Sequence, residues 1–265
     1  MVARPVAVIT GASSGIGVVF ARKLAAEHDL LLIARRKELL EALAAELTAL
    51  HGSVVAVLPA DLTQEKDLAI VADRIASEPN LALLVNNAGF GTRGVFWEAN
   101  LEVQEQMHRL HVMATVRLSH AALRNMVGRN SGGIINVASV AAFVRRSGSA
   151  SYGATKSWMT AFTEGLYLDL QSVQSAVKVQ ALCPGFTYSE FHDTMHVDRK
   201  GLAPPSLWLR AEFVVDESLK ALPQGKLFVV PGWRYQAIVA LVSKLPTPLR
   251  LAFEAAGSKR RFRGK

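Results

Sequence analysis

The chain has 265 residues, half of them apolar, and its 30 basic and 22 acidic side chains leave a formal charge of +8. That is enough apolar chain for one large α/β domain with a sheet covered on both faces, while a single cysteine, Cys183, excludes an intramolecular disulfide and fits a reducing, cytoplasmic compartment. Of the charge, +6 lies from Lys244 onward, which reads as a solvated basic tail and argues against a nucleic-acid-binding body.

In chain order, apolar runs of strand length occur at 6–9, 30–33, 54–58, 81–85, 134–137, 177–182 and 227–230. Helical periodicity fills most of the gaps, at 16–27, 37–50, 64–77, 103–126, 152–171 and 212–222. Parallel neighbours need a crossover connection, so this alternation predicts a Rossmann-like, doubly wound domain with a seven-stranded, mostly parallel sheet flanked by helices. The expected catalytic domain spans 1–232. Residues 233–265 form an amphipathic helical extension and basic tail of the same domain, whose apolar Leu241, Val242, Leu245, Leu249, Leu251 and Phe253 offer membrane-surface contact as the less favoured alternative to a solvated end. No secretory signal or transmembrane-length apolar stretch is visible in the sequence.

The first strand runs into Thr10-Gly11-Ala12-Ser13-Ser14-Gly15-Ile16-Gly17. Gly11, Gly15 and Gly17, with Ser13, Ser14 and Ile16 between them, describe a sharp turn opening a helix whose free N–H groups suit a pyrophosphate. After the second strand stand Ala34, Arg35 and Arg36 rather than a carboxylate. A carboxylate there would repel a 2′-phosphate, whereas Arg35 can pair with one, so NADP(H) is favoured over NAD(H). Asp61-Leu62 follows the third strand, where a carboxylate can accept from the adenine amino group. Asn87-Ala88-Gly89 closes the fourth and allows close approach to the adenosine.

Tyr152 and Lys156 stand four residues apart in a helix-like run, thirteen residues after Ser139. At that spacing phenol and ammonium share a helix face, and the positive charge favours phenolate, making Tyr152 a usable acid and base near neutral pH. The irregular stretch 186–210 follows a strand whose end faces the expected crevice, and is read as a substrate lid. Within it His192 and His196 have no third ligand of matching spacing, so no metal site is expected.

Taken together, TGASSGIG, Asp61-Leu62, NNAG, Ser139, Tyr152-xxx-Lys156 and Pro184-Gly185 resemble the ordered motifs of the short-chain dehydrogenase/reductases over about residues 3 to 232. The resemblance implies that Tyr152 is the general acid in reduction and base in oxidation. It gives Ser139 a bond to the substrate oxygen, and Lys156 a hold on the nicotinamide ribose together with a lowering of the tyrosine pKa. Pro184, Gly185, Thr187 and Ser189 would border the nicotinamide. Where many members have an asparagine in a helix bulge this chain has His111, either a polar residue packed in the bulge or a member of the proton relay. The expected function is an oxidoreductase interconverting a small-molecule carbonyl and alcohol, on a largely apolar substrate in view of Phe90, Phe96, Phe143, Phe186, Phe191, Met195 and Trp208. The alternative is a catalytically silent dinucleotide-binding sensor or scaffold. A homodimer or homotetramer is implied, with the helices that begin at Val103 and Tyr152 as contact surfaces. Arg145 and Arg146 are read as solvated, with an acidic substrate as the weaker option.

Overall fold

The structure is a computed structural model describing residues 4–92, 94–190 and 203–262. Seven strands form one sheet: β1 (Val6–Thr10), β2 (Asp29–Ala34), β3 (Val55–Pro59), β4 (Leu81–Asn86), β5 (Gly133–Val137), β6 (Lys178–Leu182) and β7 (Phe228–Val229). Their order is β3-β2-β1-β4-β5-β6-β7 and every pair is parallel. The order reverses between β1 and β4, where an open α/β sheet leaves a crevice beyond its carboxyl ends.

Period-two alternation divides the central strands between two cores. Ala7 and Ile9 of β1 face Phe20 and Leu24 of α1 (Gly15–Leu24), Leu40, Leu43 and Leu47 of α2 (Lys37–His51), and Val214 and Val215 of α7 (Ala211–Ala221). Val8 faces the other way, towards Leu68, Val71 and Ile75 of α3 (Glu65–Ala76), Leu118 and Met126 of α5 (Thr115–Gly128), and Leu170 of α6 (Ala150–Ser172).

The expected helix over 103–126 is divided. Asn100 caps α4 (Leu101–His108) by accepting from the N–H of Val103 at 3.2 Å, and a wide π-type turn, Arg109–Ala114, separates α4 from α5. A smooth apolar period carries no signal for that one-turn widening. The last helices are α8 (Trp233–Lys244) and α9 (Thr247–Phe262). Within α9, Glu254 is buried, and its carboxylate accepts from the backbone N–H of Arg145 at 2.9 Å. Among the described residues no helix is long and apolar enough to cross a membrane. His192, His196 and most of the expected lid lie outside the described residues.

Candidate active site

A cavity of about 1100 Å³ opens at the carboxyl ends of the strands. It exceeds the ~300–1000 Å³ usual for one small ligand and suits a dinucleotide with a substrate beside it. Its near end is the turn after β1. Gly11 and Gly15 adopt φ of +66° and +56°, the left-handed region that favours glycine. Gly17 does not line the cavity; a Cβ there would run into the Gly11 carbonyl, so its bareness lets α1 press against the turn. Ser14, at the start of α1, makes no side-chain bond to the helix amides, and the first turn holds no acid. Uncapped N–H groups and the helix dipole are thus left for an anion, as a pyrophosphate requires.

Thr10, the first residue of the TGASSGIG motif and without a role of its own in the sequence, fastens this turn to the end of β4. Its Oγ1 accepts from the N–H groups of Asn87 at 2.9 Å and Ala88 at 3.0 Å, while Asn87 Nδ2 donates to the carbonyls of Thr10 at 2.9 Å and Gly11 at 3.2 Å. Beneath the site, buried Asn86 donates to Ser119 and Asn136, and Asn136 to Thr163, a polar seam that ties β4, β5 and two helices.

On the adenosine side the wall is Ala34, Arg35, Arg36, Asp61 and Leu62. Arg36 clasps the glycine turn, donating to Ser13 Oγ at 3.1 and 3.2 Å and to the Ser13 carbonyl at 3.3 Å, and it pairs with Glu190 at 3.0 Å. Asp61 accepts from both the N–H and the hydroxyl of Thr63. Ser189 lies over the turn, its Cβ only 2.9 Å from where a side chain on Gly15 would begin. Glycines at the points of close approach, free helix amides, and Arg35 with no carboxylate paired to it among the described residues together fit a nicotinamide dinucleotide.

At the far end, Ser139 follows β5 and Tyr152 and Lys156 project from α6. Ser139 Oγ accepts from the N–H of Ala141 at 3.1 Å, faces the Pro184 carbonyl at 3.4 Å, and is hydrogen-bonded to the Tyr152 phenol. Lys156 Nζ is buried; it donates to the Val137 carbonyl at 2.7 Å and lies 5.9 Å from the Tyr152 ring centre. The structure departs here from the expectation that lysine lowers the phenol. Burial pushes Tyr152 up to about 12, opposed only by its bond to Ser139, while burial brings Lys156 down to about 7. In the chain by itself, desolvation of the buried phenol outweighs the stabilisation of its charged form. The Tyr152 phenol is thus neutral at pH 7, and Lys156 is the group placed to titrate there. Cys183, buried beside them, is pushed up to about 12 by its burial and is an inert thiol.

His111 sits in the π-type turn, fully buried behind Gly89 and outside the cavity lining. Its Nδ1 is 2.9 Å from Thr155 Oγ1, which in turn donates to the Tyr152 carbonyl at 2.9 Å. Because the threonine proton is committed, Nδ1 carries the imidazole hydrogen and Nε2 is an acceptor, without a partner among the described residues. That nitrogen lies 2.7 Å from where a Cβ on Gly89 would be, so Gly89 is bare because of His111 as much as because of any ligand. Burial first, then the nearby Lys156 and His108, hold its pKa well below the ordinary histidine value. That direction and the burial favour the packed-residue alternative over the relay for His111.

Of the residues expected to form the site, all but Gly17 and His111 line this cavity. Tyr235 of α8 lines it as well and was missed, since a single tyrosine in an amphipathic extension carries no motif. Its hydroxyl accepts from the N–H of Phe186 at 2.9 Å and donates to the Leu207 carbonyl at 2.7 Å, joining both ends of the expected lid.

Comparison with known proteins agrees with this geometry. Residues 5–200 match the short chain dehydrogenase family. The chain is 34% identical over 224 residues, 81% of its own length and 77% of the relative's, to 1,6-dihydroxycyclohexa-2,4-diene-1-carboxylate dehydrogenase of Pseudomonas putida. Among solved structures it is similar to a short-chain dehydrogenase of Sphingobium yanoikuyae in complex with NADPH, with TM-score 0.82, 34% identity, and 91% and 96% of the two chains covered. It is also similar to a bulky-bulky ketone specific alcohol dehydrogenase of Comamonas testosteroni, with TM-score 0.77, 32% identity, and 91% and 95% covered.

Proposed function

The chain belongs to the short-chain dehydrogenase/reductase family and is an oxidoreductase of CH–OH groups; on that premise we propose that it is an NADP(H)-dependent enzyme interconverting a ketone or aldehyde with an alcohol. The observation that carries this reading is the Ser139–Tyr152 pair on the wall of a cavity that continues to the glycine turn. The bound dinucleotide supplies or accepts the hydride.

The chain's own groups handle the substrate oxygen. As charge grows on that oxygen during reduction, Ser139 and Tyr152 donate to it from fixed positions, in surroundings dry enough to make each bond strong. Tyr152, fully protonated at neutral pH, then delivers the phenolic proton. Lys156, anchored by the Val137 carbonyl, holds the ribose and returns a proton towards the phenol. The proposed cofactor contacts are Gly11, Ser13, Ser14, Gly15, Ile16, Asp61, Leu62, Asn87, Ala88, Gly89, Pro184, Gly185, Thr187 and Ser189, with Gly17 acting through packing. Preference for NADP(H) rests on Arg35 and Arg36, both at the cavity wall with Ala34 in place of an acid. The NADPH-bound Sphingobium relative supports that preference, although a Burkholderia phymatum relative 26% identical is known in complex with NAD. His111 is a positioning residue that holds α6 through Thr155. A substrate with a substantial apolar portion is favoured by Phe90, Leu110, Val144, Phe186, Leu207 and Ile238 on the wall, and the Comamonas relative's name specifies bulky ketones. Exposed Leu101, Met113 and Leu168 on α4, the π-type turn and α6 favour self-association through those helices, which light scattering would test.

Fluorescence titration with NADPH and NADH, followed by a ketone panel, tests the reading. Tighter NADPH binding with turnover that needs Tyr152 supports it. Tight binding without turnover of any ketone or aldehyde overturns it in favour of a binding protein.

A further inference from the structure

Two adjacent arginines in the loop between Ser139 and Tyr152 have different fates. Arg145 gives its backbone N–H to Glu254, and its side chain is not part of the cavity wall. Arg146 lines the cavity, with its guanidinium carbon 5.3 Å from the centre of the Phe186 ring. Phe186 is itself fixed, because its N–H donates to Tyr235 Oη at 2.9 Å. A guanidinium laid on a fixed aromatic face keeps its N–H edge free and has less orientational entropy left to lose on binding.

Among the described residues no carboxylate pairs with Arg146. The described acids that line the same cavity are Asp61 and Glu190. Both are committed at the nucleotide end, Asp61 to Thr63 and Glu190 to Arg36. Lys156 is bonded to the Val137 carbonyl and is assigned to the nicotinamide ribose. The substrate end thus presents one outward cation against a mostly apolar wall, with no described acid to neutralise it.

We propose that the alcohol or ketone taken by this site carries a carboxylate, and that Arg146 binds it in charge-assisted, two-pronged fashion. The inference rests on the carbonyl–alcohol reading and narrows it to a hydroxy or oxo acid with an apolar body.

The test uses the full chain loaded with NADP+ and titrated calorimetrically with meta- and para-acetylbenzoate and with their methyl esters. At least one acid is expected to bind about tenfold or more tightly than its ester, an advantage typical of one charge-assisted pair. Arg146→Gln should erase that advantage and Arg146→Lys should keep part of it, with melting curves of both variants confirming that they fold. Equal binding of acids and esters, no binding of either acid, or an advantage that persists in Arg146→Gln would overturn the assignment and leave Arg146 as a packing partner of Phe186. Turnover of acetophenone with NADPH separates this from the underlying reading. Reduction of acetophenone without any preference for acids would defeat the carboxylate assignment alone, whereas acid binding with no reduction of any ketone would defeat the reductase reading.

Discussion

The ring of Tyr235 occupies the space that a side chain on Gly185 would need. The Pro184-Gly185 corner is therefore shaped by the C-terminal helix as well as by whatever binds in front of it. Together with the bonds from Tyr235 to Phe186 and Leu207, this contact makes α8 part of the cavity wall.

Tyr235→Phe keeps the ring against Gly185 but leaves the Phe186 N–H and the Leu207 carbonyl unpaired. The expected cost is about 1–3 kcal/mol of stability. Steady-state kinetics should show a raised KM with kcat changed far less, because the phenol ties Phe186 to Leu207 on the cavity wall and is not among the groups proposed to meet the reacting atoms. A fall in kcat at constant KM would contradict that role.

Tyr152→Phe removes the proposed proton donor while preserving ring packing. A loss of about 10²–10⁴-fold in kcat is expected, the range typical of general acid–base groups. NADPH affinity, followed by fluorescence, should remain nearly unchanged.

Lys156 gives a pH signature in the dinucleotide-free protein. Its pKa falls from 10.5 to about 7 on folding. Between those values the unfolded chain binds more protons than the folded one, so stability rises as pH increases through that window. The full penalty, at pH below 7, is at most of order 5 kcal/mol. Burial raises Cys183 and Tyr152, which work in the opposite direction above their ordinary values of 9.0 and 10.0, so the rise is clearest between neutrality and the onset of thiol ionisation. Thermal melts should show it in the wild type and lose it in Lys156→Met, which is expected to melt higher at neutral pH.

His111→Asn should leave the pH dependence of kcat/KM unchanged from about pH 6 to about pH 9, because the imidazole is held neutral well below that window. A displaced profile would show that the imidazole titrates and belongs to the relay.

Arg35→Ala is expected to weaken NADPH binding by about tenfold to a hundredfold, the value of one lost charge-assisted contact, with little effect on NADH. Paired titrations of the two dinucleotides check this directly.

The strands and the glycine turn were legible in the sequence because each has a local cause: a continuous apolar run of strand length in β1, and a left-handed backbone that favours glycine at Gly11 and Gly15. Ser139, Tyr152 and Lys156 were legible because their separations in the chain translate simply into one helix face and one strand end. The direction of the Tyr152 shift was not, since it depends on how completely tertiary packing dries the phenol. Nor was the π-type turn, the docking of Glu254 on Arg145, or the reach of Tyr235 into the site, each made by contacts between residues 28 to 109 positions apart or by a backbone widening without a composition signal.

The most direct test of the proposed chemistry is isotope transfer. NADPH deuterated at the transferable position of its nicotinamide is incubated with the protein and a ketone panel that includes the acetylbenzoates, and the alcohols are examined by mass spectrometry. Deuterium on the carbinol carbon, formed by the wild type and lost with Tyr152→Phe, is the predicted result. Alcohol formed equally well by the variant would contradict the role of Tyr152, and the absence of labelled alcohol across the panel despite tight NADPH binding would contradict the reductase function itself.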